Sequence, residues 1–449
     1  MVKIPLHVEK FMLYTLLASF DSFLYYFTVL PMKIVVDFCR KPNLSSWIRK
    51  TYKERLTLFM ILVSSFVLSR LDTSKVYHKV KRQSVMKLYM LFSILEIADK
   101  MLSTMGQSLV SVLLSKRNHD VHYRYKQILL VPICSLYLIC HGFLLIYQSI
   151  ALNVAVNSYS NSLLTLLLSI QFAEIKASVF KKFDTEGLFQ ITISDTVERF
   201  KLVILLLIII IRNFSAMPLS LNMFKSFGIK NEFSIFNLVP RLWIPMITFV
   251  GSEILIDWIK HAYIIKFNRI RPIMYDKFYY IMYKDHSTSF RKYQDRLGLP
   301  LPAYVIISIV MIRPTIHQML HTSHSSFLTS ILVSSFIIMI IFIALSFLKF
   351  SIHTILVKWE KRIELDWTKK QNNTVVSAND FVPGLVSDGR GQMDHQAREI
   401  IFSDMSEKTV ETKAPSSANV GQLQNGGTCK GAGSLESVSR YKMVSKRIW

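Results

Sequence analysis

Long apolar runs that no charge interrupts dominate the pattern of hydrophobic and polar positions along the chain. The clearest is Phe327–Leu348, whose 22 residues span a hydrocarbon layer of about 30 Å at roughly 1.5 Å per residue. A helix of a soluble protein would carry a polar face, and this run contains no charged residue. Because helices satisfy their own backbone hydrogen bonds in lipid, the pattern predicts an all-α, polytopic helical membrane protein.

Eight apolar segments are candidate membrane spans, and they differ in length. Three of them, Leu56–Ser69, Ser162–Phe172 and Leu202–Ile211, are shorter than a simple crossing requires. The first also has strongly basic flanks on both sides, which opposes a simple crossing. We therefore expect five crossings and up to three more. The five longer segments are Phe11–Val36, Gln127–Val156, Val239–Ile265, Leu301–Leu320 and Phe327–Leu348.

The segment Gln83–Leu114 has polar residues at every third or fourth position, which places them on one face of a helix. The other face consists of Leu, Met and Phe. Two interpretations are open. The helix packs on the bundle or lies amphipathically at the membrane interface, or its polar face forms a functional seam inside the bundle. The polar residues are Ser93, Glu96, Lys100, Ser103 and Gln107.

Positive charge is concentrated in the membrane part of the chain. The formal net charge is +24, and residues 353–449 hold 14 Lys/Arg and 11 Asp/Glu, so they contribute only +3 of it. Lys and Arg retained in short cytoplasmic loops account for the rest, so we expect no nucleic-acid partner. The basic loop Lys266–Arg296 is placed in the cytoplasm. Two further crossings then leave the C-terminus cytoplasmic.

Two regions follow from the composition. Residues 1–350 form the multi-pass membrane domain, and residues 351–449 form a polar cytoplasmic tail whose Ser, Asn and Gly content predicts disorder. No GxSxG, HExxH or P-loop motif is present, and the four cysteines have neither a disulfide nor a zinc spacing. We therefore expect no enzyme activity, no cofactor and no metal site.

A cluster of ionisable residues lies within the apolar segment Val239–Ile265. Carboxylates and a histidine four positions apart share one helical face, with a lysine beside them. Such groups at membrane depth normally face a partner or a cavity. Salt bridges near the membrane interface are one interpretation, and an ion or proton path is the other. The cluster is Glu253, Asp257, Lys260 and His261, and we expect Asp257 to pair with Lys260 or His261.

A densely charged segment separates two apolar runs near the middle of the chain. Between Lys176 and Lys201 its five basic and four acidic residues nearly cancel. The pattern predicts a helix that ends at Gly187 and a second helix capped by Ser194 or Asp195, with Glu198 three residues after Asp195. This helix–turn–helix is either a structural cap or a protein-binding surface. The predicted partner-binding residues are Glu174, Lys176, Lys181, Lys182, Asp195, Glu198 and Arg199.

The stretch "LNVAVNSYSNSLLTLLLSIQFAEIKASVFKKFDTEGLFQITISDTVERF" (Leu152–Phe200) closely resembles the signature region of the Tapt family, the transmembrane anterior posterior transformation proteins and their fungal endoplasmic reticulum relatives. Arg82–Leu109, Ser252–Asn268 and Phe20–Lys33 resemble further blocks of this family. The resemblance implies a multi-pass membrane protein without established catalysis. It also implies a role in endoplasmic reticulum protein folding beside a membrane protein with a SUN-like domain, or, as in animal members, in cilia and secretory trafficking.

The sequence and the resemblance together lead to one expectation and two alternatives. We expect an endoplasmic reticulum membrane scaffold that contacts membrane lipids, binds a partner membrane protein and supports protein folding or quality control. The first alternative is a transporter or channel that uses Glu253, Asp257 and His261. The second is a ciliary or secretory trafficking role, as the resemblance implies for animal relatives.

Overall fold

The computed structural model describes residues 3–40, 52–114, 121–156, 183–216, 232–268, 270–321 and 327–374, with the single positions 169 and 175. These residues form helices and no strand, which confirms the all-α class. The helices are α1 (Lys3–Phe27), α2 (Val29–Arg40), α3 (Tyr52–Leu68), α4 (Thr73–Lys81), α5 (Val85–Leu114), α6 (Val121–Val156), α7 (Thr185–Ala216), α8 (Glu232–Asn268), α9 (Met274–Thr288), α10 (Phe290–Leu297), α11 (Leu301–His321) and α12 (Phe327–Thr374).

Two helices of the described part are long and apolar enough to cross a membrane on their own. They are α6, over Leu129–Val156, and α12, over Ser335–Asp366. Three bent pairs raise the number to five: α1 with α2 at 41°, α3 with α4 at 60°, and α10 with α11 at 87°. Four predicted spans fall wholly or largely within these elements, and Phe327–Leu348 lies inside α12.

The remaining predicted spans have different outcomes. Leu202–Ile211 lies inside α7 and Val239–Ile265 lies inside α8, so both are helical. Over the part of these two helices whose side chains the structure describes, neither is among the candidate spans. Ser162–Phe172 lies outside the described residues. α5 and α6 pack along each other, and α11 packs against α3, α6 and α7.

The centre of the bundle is apolar and is built where α1, α7 and α11 meet. Phe200 of α7 is fully buried. Its ring centroid lies 5.1 Å from that of Phe20 and 6.2 Å from that of Phe23, both on α1. On its other side it lies 5.7 Å from the ring of Tyr304 on α11. Edge-on aromatic packing of this kind adds to the energy of burial, so α7 is held at the core.

The sharp corner between α10 and α11 depends on a glycine. Gly298 adopts a left-handed backbone with φ of 61°, and its N–H donates to the carbonyl of Gln294 at 2.9 Å. A residue with a Cβ is strained in this conformation. Pro300 follows two residues later and cannot continue the helix that has just ended. The two features together turn the chain through the 87° bend.

The predicted boundary between membrane domain and tail lies at residue 350, and α12 continues beyond it as a helix to Thr374. Leu356 and Ile363 are buried against the bundle. The carboxylate of Glu360 accepts hydrogen bonds from Tyr14 of α1 at 3.1 Å and from His286 of α9 at 2.8 Å. The polar composition of this region does not reveal these contacts, because only a few residues make them. Residues 375–449 lie outside the described part.

The predicted turn at Gly187 is also corrected, since α7 runs without a break from Thr185 through Asp195 to Ala216. Leu188 and Phe189 directly after the glycine are fully buried. A glycine in a helix costs only about 1 kcal/mol relative to alanine. Burial of these two side chains outweighs that cost, so tertiary packing decides the local structure.

Candidate functional site

Two clusters of buried polar side chains repeat the same arrangement, in which an aspartate binds a lysine and a histidine and the histidine binds a tyrosine. In the first cluster Asp195 of α7 accepts hydrogen bonds from Lys260 Nζ at 2.7 Å and His261 Nε2 at 2.9 Å. The hydroxyl of Tyr275 lies 2.8 Å from His261 Nδ1. If the imidazole is neutral, Nε2 donates to the carboxylate and Nδ1 accepts from the tyrosine. We call these four residues the Asp195 cluster.

The second cluster joins α5, α6 and α7. Asp99 of α5 accepts from Lys201 Nζ of α7 and from His141 Nε2 of α6, both at 2.9 Å. The hydroxyl of Tyr137, one turn from the histidine, lies 2.8 Å from His141 Nδ1. We call these residues the Asp99 cluster. Each aspartate therefore has one oxygen bound by an ammonium and the other by an imidazole.

The Asp195 cluster extends into a chain of charges that reaches α1. Asp257 lies 3.2 Å from Lys260 Nζ and accepts from Arg199 Nε at 2.7 Å. Arg199 Nη1 also donates to Glu9 of α1 at 2.8 Å. The indole of Trp258 donates to the same Glu9 oxygen at 2.7 Å. The charges thereby link α1, α7 and α8, while Tyr275 adds α9.

The spacing along α7 explains how one helix serves both clusters. Asp195 and Arg199 are four residues apart and share the face turned to α8. Lys201 lies about 160° around the helix from Arg199 at ~100° per residue, and points to α5. Glu198 is three residues before Lys201 and lies 3.2 Å from Lys100 of α5. α7 thus bonds to α8 on one side and to α5 on the other.

The ionisable side chains of the Asp195 cluster are buried, so they depend on the partners that the protein provides. Lys260 is 1% exposed and His261 is fully buried, although both carry ionisable groups. A charge removed from water is tolerated only when it is paired and hydrogen-bonded. Tyr275 lies in α9, outside the candidate spans, and burial raises the pKa of its hydroxyl well above the usual value. The hydroxyl therefore keeps its proton and remains a hydrogen-bond donor to His261.

The predicted partner-binding residues divide into three groups. Asp195 is buried in the Asp195 cluster in the interior of α7, so the expectation that it caps a helix is wrong. Arg199 is buried and bonded to Asp257. Glu198 is largely buried and bonded to Lys100. The other four lie outside the described residues: Glu174, Lys176, Lys181 and Lys182.

The predicted ionisable cluster on α8 is partly assembled in the structure. The pairing of Asp257 with Lys260 is confirmed. His261 binds Asp195 instead of Asp257, and Arg199 is a partner of Asp257 that the sequence did not indicate. Glu253 is half-buried and lies one turn before Asp257. Salt bridges to a neighbouring helix were one of the two interpretations, and the geometry supports it.

The Asp99 cluster was missed at the sequence level. Asp99 sits beside the polar face that was recognised on Gln83–Leu114, and His141 is the lone ionisable residue in an apolar run. An ionisable residue at membrane depth is itself a signal. Its partners cannot be inferred from spacing, because Asp99 and Lys201 are 102 positions apart.

A glycine and a cavity adjoin the Asp99 cluster. A Cβ at Gly106 of α5 would overlap the hydroxyl and ring of Tyr137, so this glycine permits the close approach of α5 and α6. The cavity measures about 350 Å³, and Tyr137, Ser103 and Gly106 form part of its wall. Its polar wall also includes Lys53, Arg291 and Gln294. Within the described part of the chain, no group of His, Cys, Asp or Glu is arranged to hold a metal ion.

Buried ion pairs inside a helical bundle, together with apolar helices that expose their side chains, define a multi-helical membrane protein. A model of a eukaryotic membrane protein family matches residues 47–364. Endoplasmic reticulum membrane protein 65 of Saccharomyces cerevisiae is 47% identical over 485 residues, which cover 100% of this chain and 86% of the relative. The chain belongs to this eukaryotic membrane protein family, which confirms the resemblance to the Tapt proteins.

More distant relatives match a smaller share of the chain. Endoplasmic reticulum membrane protein 65 of Schizosaccharomyces pombe is 33% identical over 68% of this chain and 51% of its own length. The human transmembrane anterior posterior transformation protein 1 homolog is 31% identical over 68% of this chain and 55% of its own length. The chain therefore spans about half of these two relatives. No solved structure matches the chain.

Proposed function

We propose that this protein is an endoplasmic reticulum membrane scaffold that binds a partner membrane protein and supports protein folding. The observation that carries the proposal is the mutual pairing of the buried charges. In both clusters each aspartate oxygen accepts from a side chain of the protein itself. Such pairs fix the relative positions of helices, which suits a scaffold. The names of the yeast relatives support the compartment.

The proposed partner surface is the part of the charged segment that precedes α7. Asp195 and Arg199 hold the bundle together and cannot leave it for a partner without exposing buried charges. The candidates that remain are Lys181, Lys182 and their neighbours Glu174 and Lys176. The proposed partner is a membrane protein with a SUN-like domain. Membrane lipids are the second class of partner, and nucleic acid has no part in the proposal.

Affinity purification of the full chain from membranes tests this proposal. The double variant Lys181→Glu/Lys182→Glu should release the partner while the abundance of the protein stays normal. The matched control is Lys358→Glu/Lys361→Glu, a charge reversal at two exposed positions of α12, and it should keep the partner. Retention of every partner by the first variant at normal abundance would contradict the proposal. Residence outside the endoplasmic reticulum would favour a ciliary or secretory trafficking role.

A transporter or channel is the second candidate, and one observation favours it. The cavity beside α5 and α6 reaches Tyr137, and hydrogen bonds continue from there through His141 to Asp99 and Lys201. This chain of groups could pass a proton. If it does, proteoliposomes that contain the protein should take up protons, and Tyr137→Phe should slow the uptake without loss of the partner. Glu253, Asp257 and His261 were the sequence-based alternative, and Asp257 and His261 are paired with side chains of α7.

A further inference from the structure

The outer face of α5 is an apolar stripe that no other helix of the described part covers. Six side chains spaced three or four residues apart are each 58–68% exposed. The opposite face contains Asp99 and Ser103, and both are buried. A surface helix of a soluble protein has the reverse arrangement, with its apolar face turned inward. We call the six residues the Met/Ile stripe: Met86, Met90, Ile94, Ile97, Met101 and Met105.

The hydrogen bond between Asp99 and His141 fixes the depth of α5. His141 is 12 residues after Leu129 and 15 before Val156, and thus lies at the middle of the α6 span Leu129–Val156. Asp99 accepts from His141 Nε2 at 2.9 Å, so it lies at the same depth. It is 14 residues after Val85 and 15 before Leu114, and is therefore also the middle of its own helix.

The direction and length of α5 are those of a crossing. Asp99 meets His141, while Gly106, further along α5, meets Tyr137, which comes earlier on α6. The two helices therefore run antiparallel, as consecutive crossings do. The 30 residues of α5 extend about 45 Å at ~1.5 Å per residue, which exceeds a hydrocarbon core of roughly 30 Å.

The charged residues in the middle of α5, which give this helix the composition of a soluble segment, are paired within the bundle. Asp99 binds Lys201 and His141. Lys100 lies 3.8 Å from Glu96 and 3.2 Å from Glu198 of α7. A carboxylate and an ammonium that face protein partners are compatible with membrane depth. A count of crossings that uses only helix length and composition therefore leaves α5 out.

We propose that α5 is a membrane-spanning helix whose Met/Ile stripe contacts the acyl chains of the bilayer. The α6 span, which packs along α5, also exposes apolar side chains, among them Ile133, Leu136 and Phe143. Lipid is the occupant that this neighbour favours, because a membrane around the α6 span also surrounds the antiparallel helix packed beside it. The proposal does not depend on the scaffold function, since it concerns the placement of α5 alone.

Accessibility of spin labels in the full chain, reconstituted in lipid bilayers, tests the proposal. Single cysteines at Met86, Ile97, Met101 and Met105 carry the label. Oxygen dissolves in lipid and a nickel chelate stays in water, so a lipid-facing label should respond several-fold more to oxygen. The difference should be greatest at Ile97 and Met101 and should fall at Met86 near the helix end. The native cysteines are replaced first: Cys39, Cys134, Cys140 and Cys429.

Two control positions calibrate the measurement. Phe347→Cys on α12 is 72% exposed within a candidate span and should report lipid. Lys277→Cys is exposed on α9, outside the candidate spans, and should report water. A label at Met101 that responds mainly to the nickel chelate would overturn the membrane placement. Low response to both reagents along the stripe would show a protein partner there and would overturn the lipid assignment. If one variant does not fold, labels at the neighbouring positions of the stripe make the same comparison between oxygen and the nickel chelate.

Discussion

At the scale of single residues, the interior of this membrane protein depends on a few charged side chains. Asp257 is the clearest case, since Arg199 and Lys260 both contact it and all three side chains are buried. A buried pair adds little to stability when it replaces a well-packed apolar pair. Loss of one member is costly, because the other charge is left without a partner. These residues therefore fix the positions of the helices relative to one another, while they add little to the net stability of the bundle.

Asp257→Leu should lower the free energy of unfolding by roughly 3–5 kcal/mol, because it leaves Arg199 and Lys260 short of a buried counter-charge. Thermal denaturation in detergent or nanodiscs, followed by size-exclusion chromatography, measures the effect. Asp366→Leu is the matched control, since Asp366 is exposed on α12, and it should change stability by less than about 0.5 kcal/mol. Equal stability of the two variants would show that water solvates Asp257.

A pair of glycines gives a second test at the residue scale. Gly106→Ala should destabilise the protein, because the new Cβ overlaps Tyr137 and separates α5 from α6. Gly251→Ala on α8 meets nothing within 4 Å, and it should be neutral or stabilise by up to about 1 kcal/mol through helix propensity. The same thermal assay compares them. Unchanged stability of Gly106→Ala would mean that Tyr137 moves aside without cost.

At the scale of elements, apolar runs were predictable from sequence and the ends of helices were not. The sequence located α6 and the first part of α12, because uninterrupted apolar residues are a sufficient signal in lipid. It placed a turn at Gly187, where burial of Leu188 and Phe189 keeps α7 helical. Local propensity is worth about 1 kcal/mol, and long-range packing overrides it.

The end of α12 yields the prediction at the element scale. A chain that stops after Thr374 should retain a protease-resistant membrane domain, because the described contacts of α12 lie before that residue. A chain that stops after Phe350 loses Leu356, Trp359 and Glu360, which pack on α1 and α9. It should be degraded faster in limited proteolysis of membranes. Equal resistance of the two truncations would show that this part of α12 is dispensable.

At the scale of the whole molecule, the site was less predictable than the fold. Asp257 and Lys260 were recognised as a pair because they are three residues apart on one helix. Asp195 was assigned to a helix cap, since nothing in the sequence shows that α8 lies beside it. Contacts between helices that are distant in sequence depend on the assembled bundle. A single sequence therefore indicates which ionisable residues are costly to bury, but not which side chains pair with them in the bundle.

The arrangement of the whole chain across the membrane gives the last prediction. The basic loop Lys266–Arg296 predicts a cytoplasmic position for α9 and α10. The bent pair of α10 with α11 then crosses outward and α12 returns. The C-terminus should therefore be cytoplasmic, so a C-terminal epitope tag should be digested by protease added to intact microsomes.

The sequence Asn372–Asn373–Thr374 contains an acceptor for N-glycosylation, and it should remain unmodified. A mobility shift at Asn372 on endoglycosidase treatment would place the end of α12 in the lumen, and the basic loop with it.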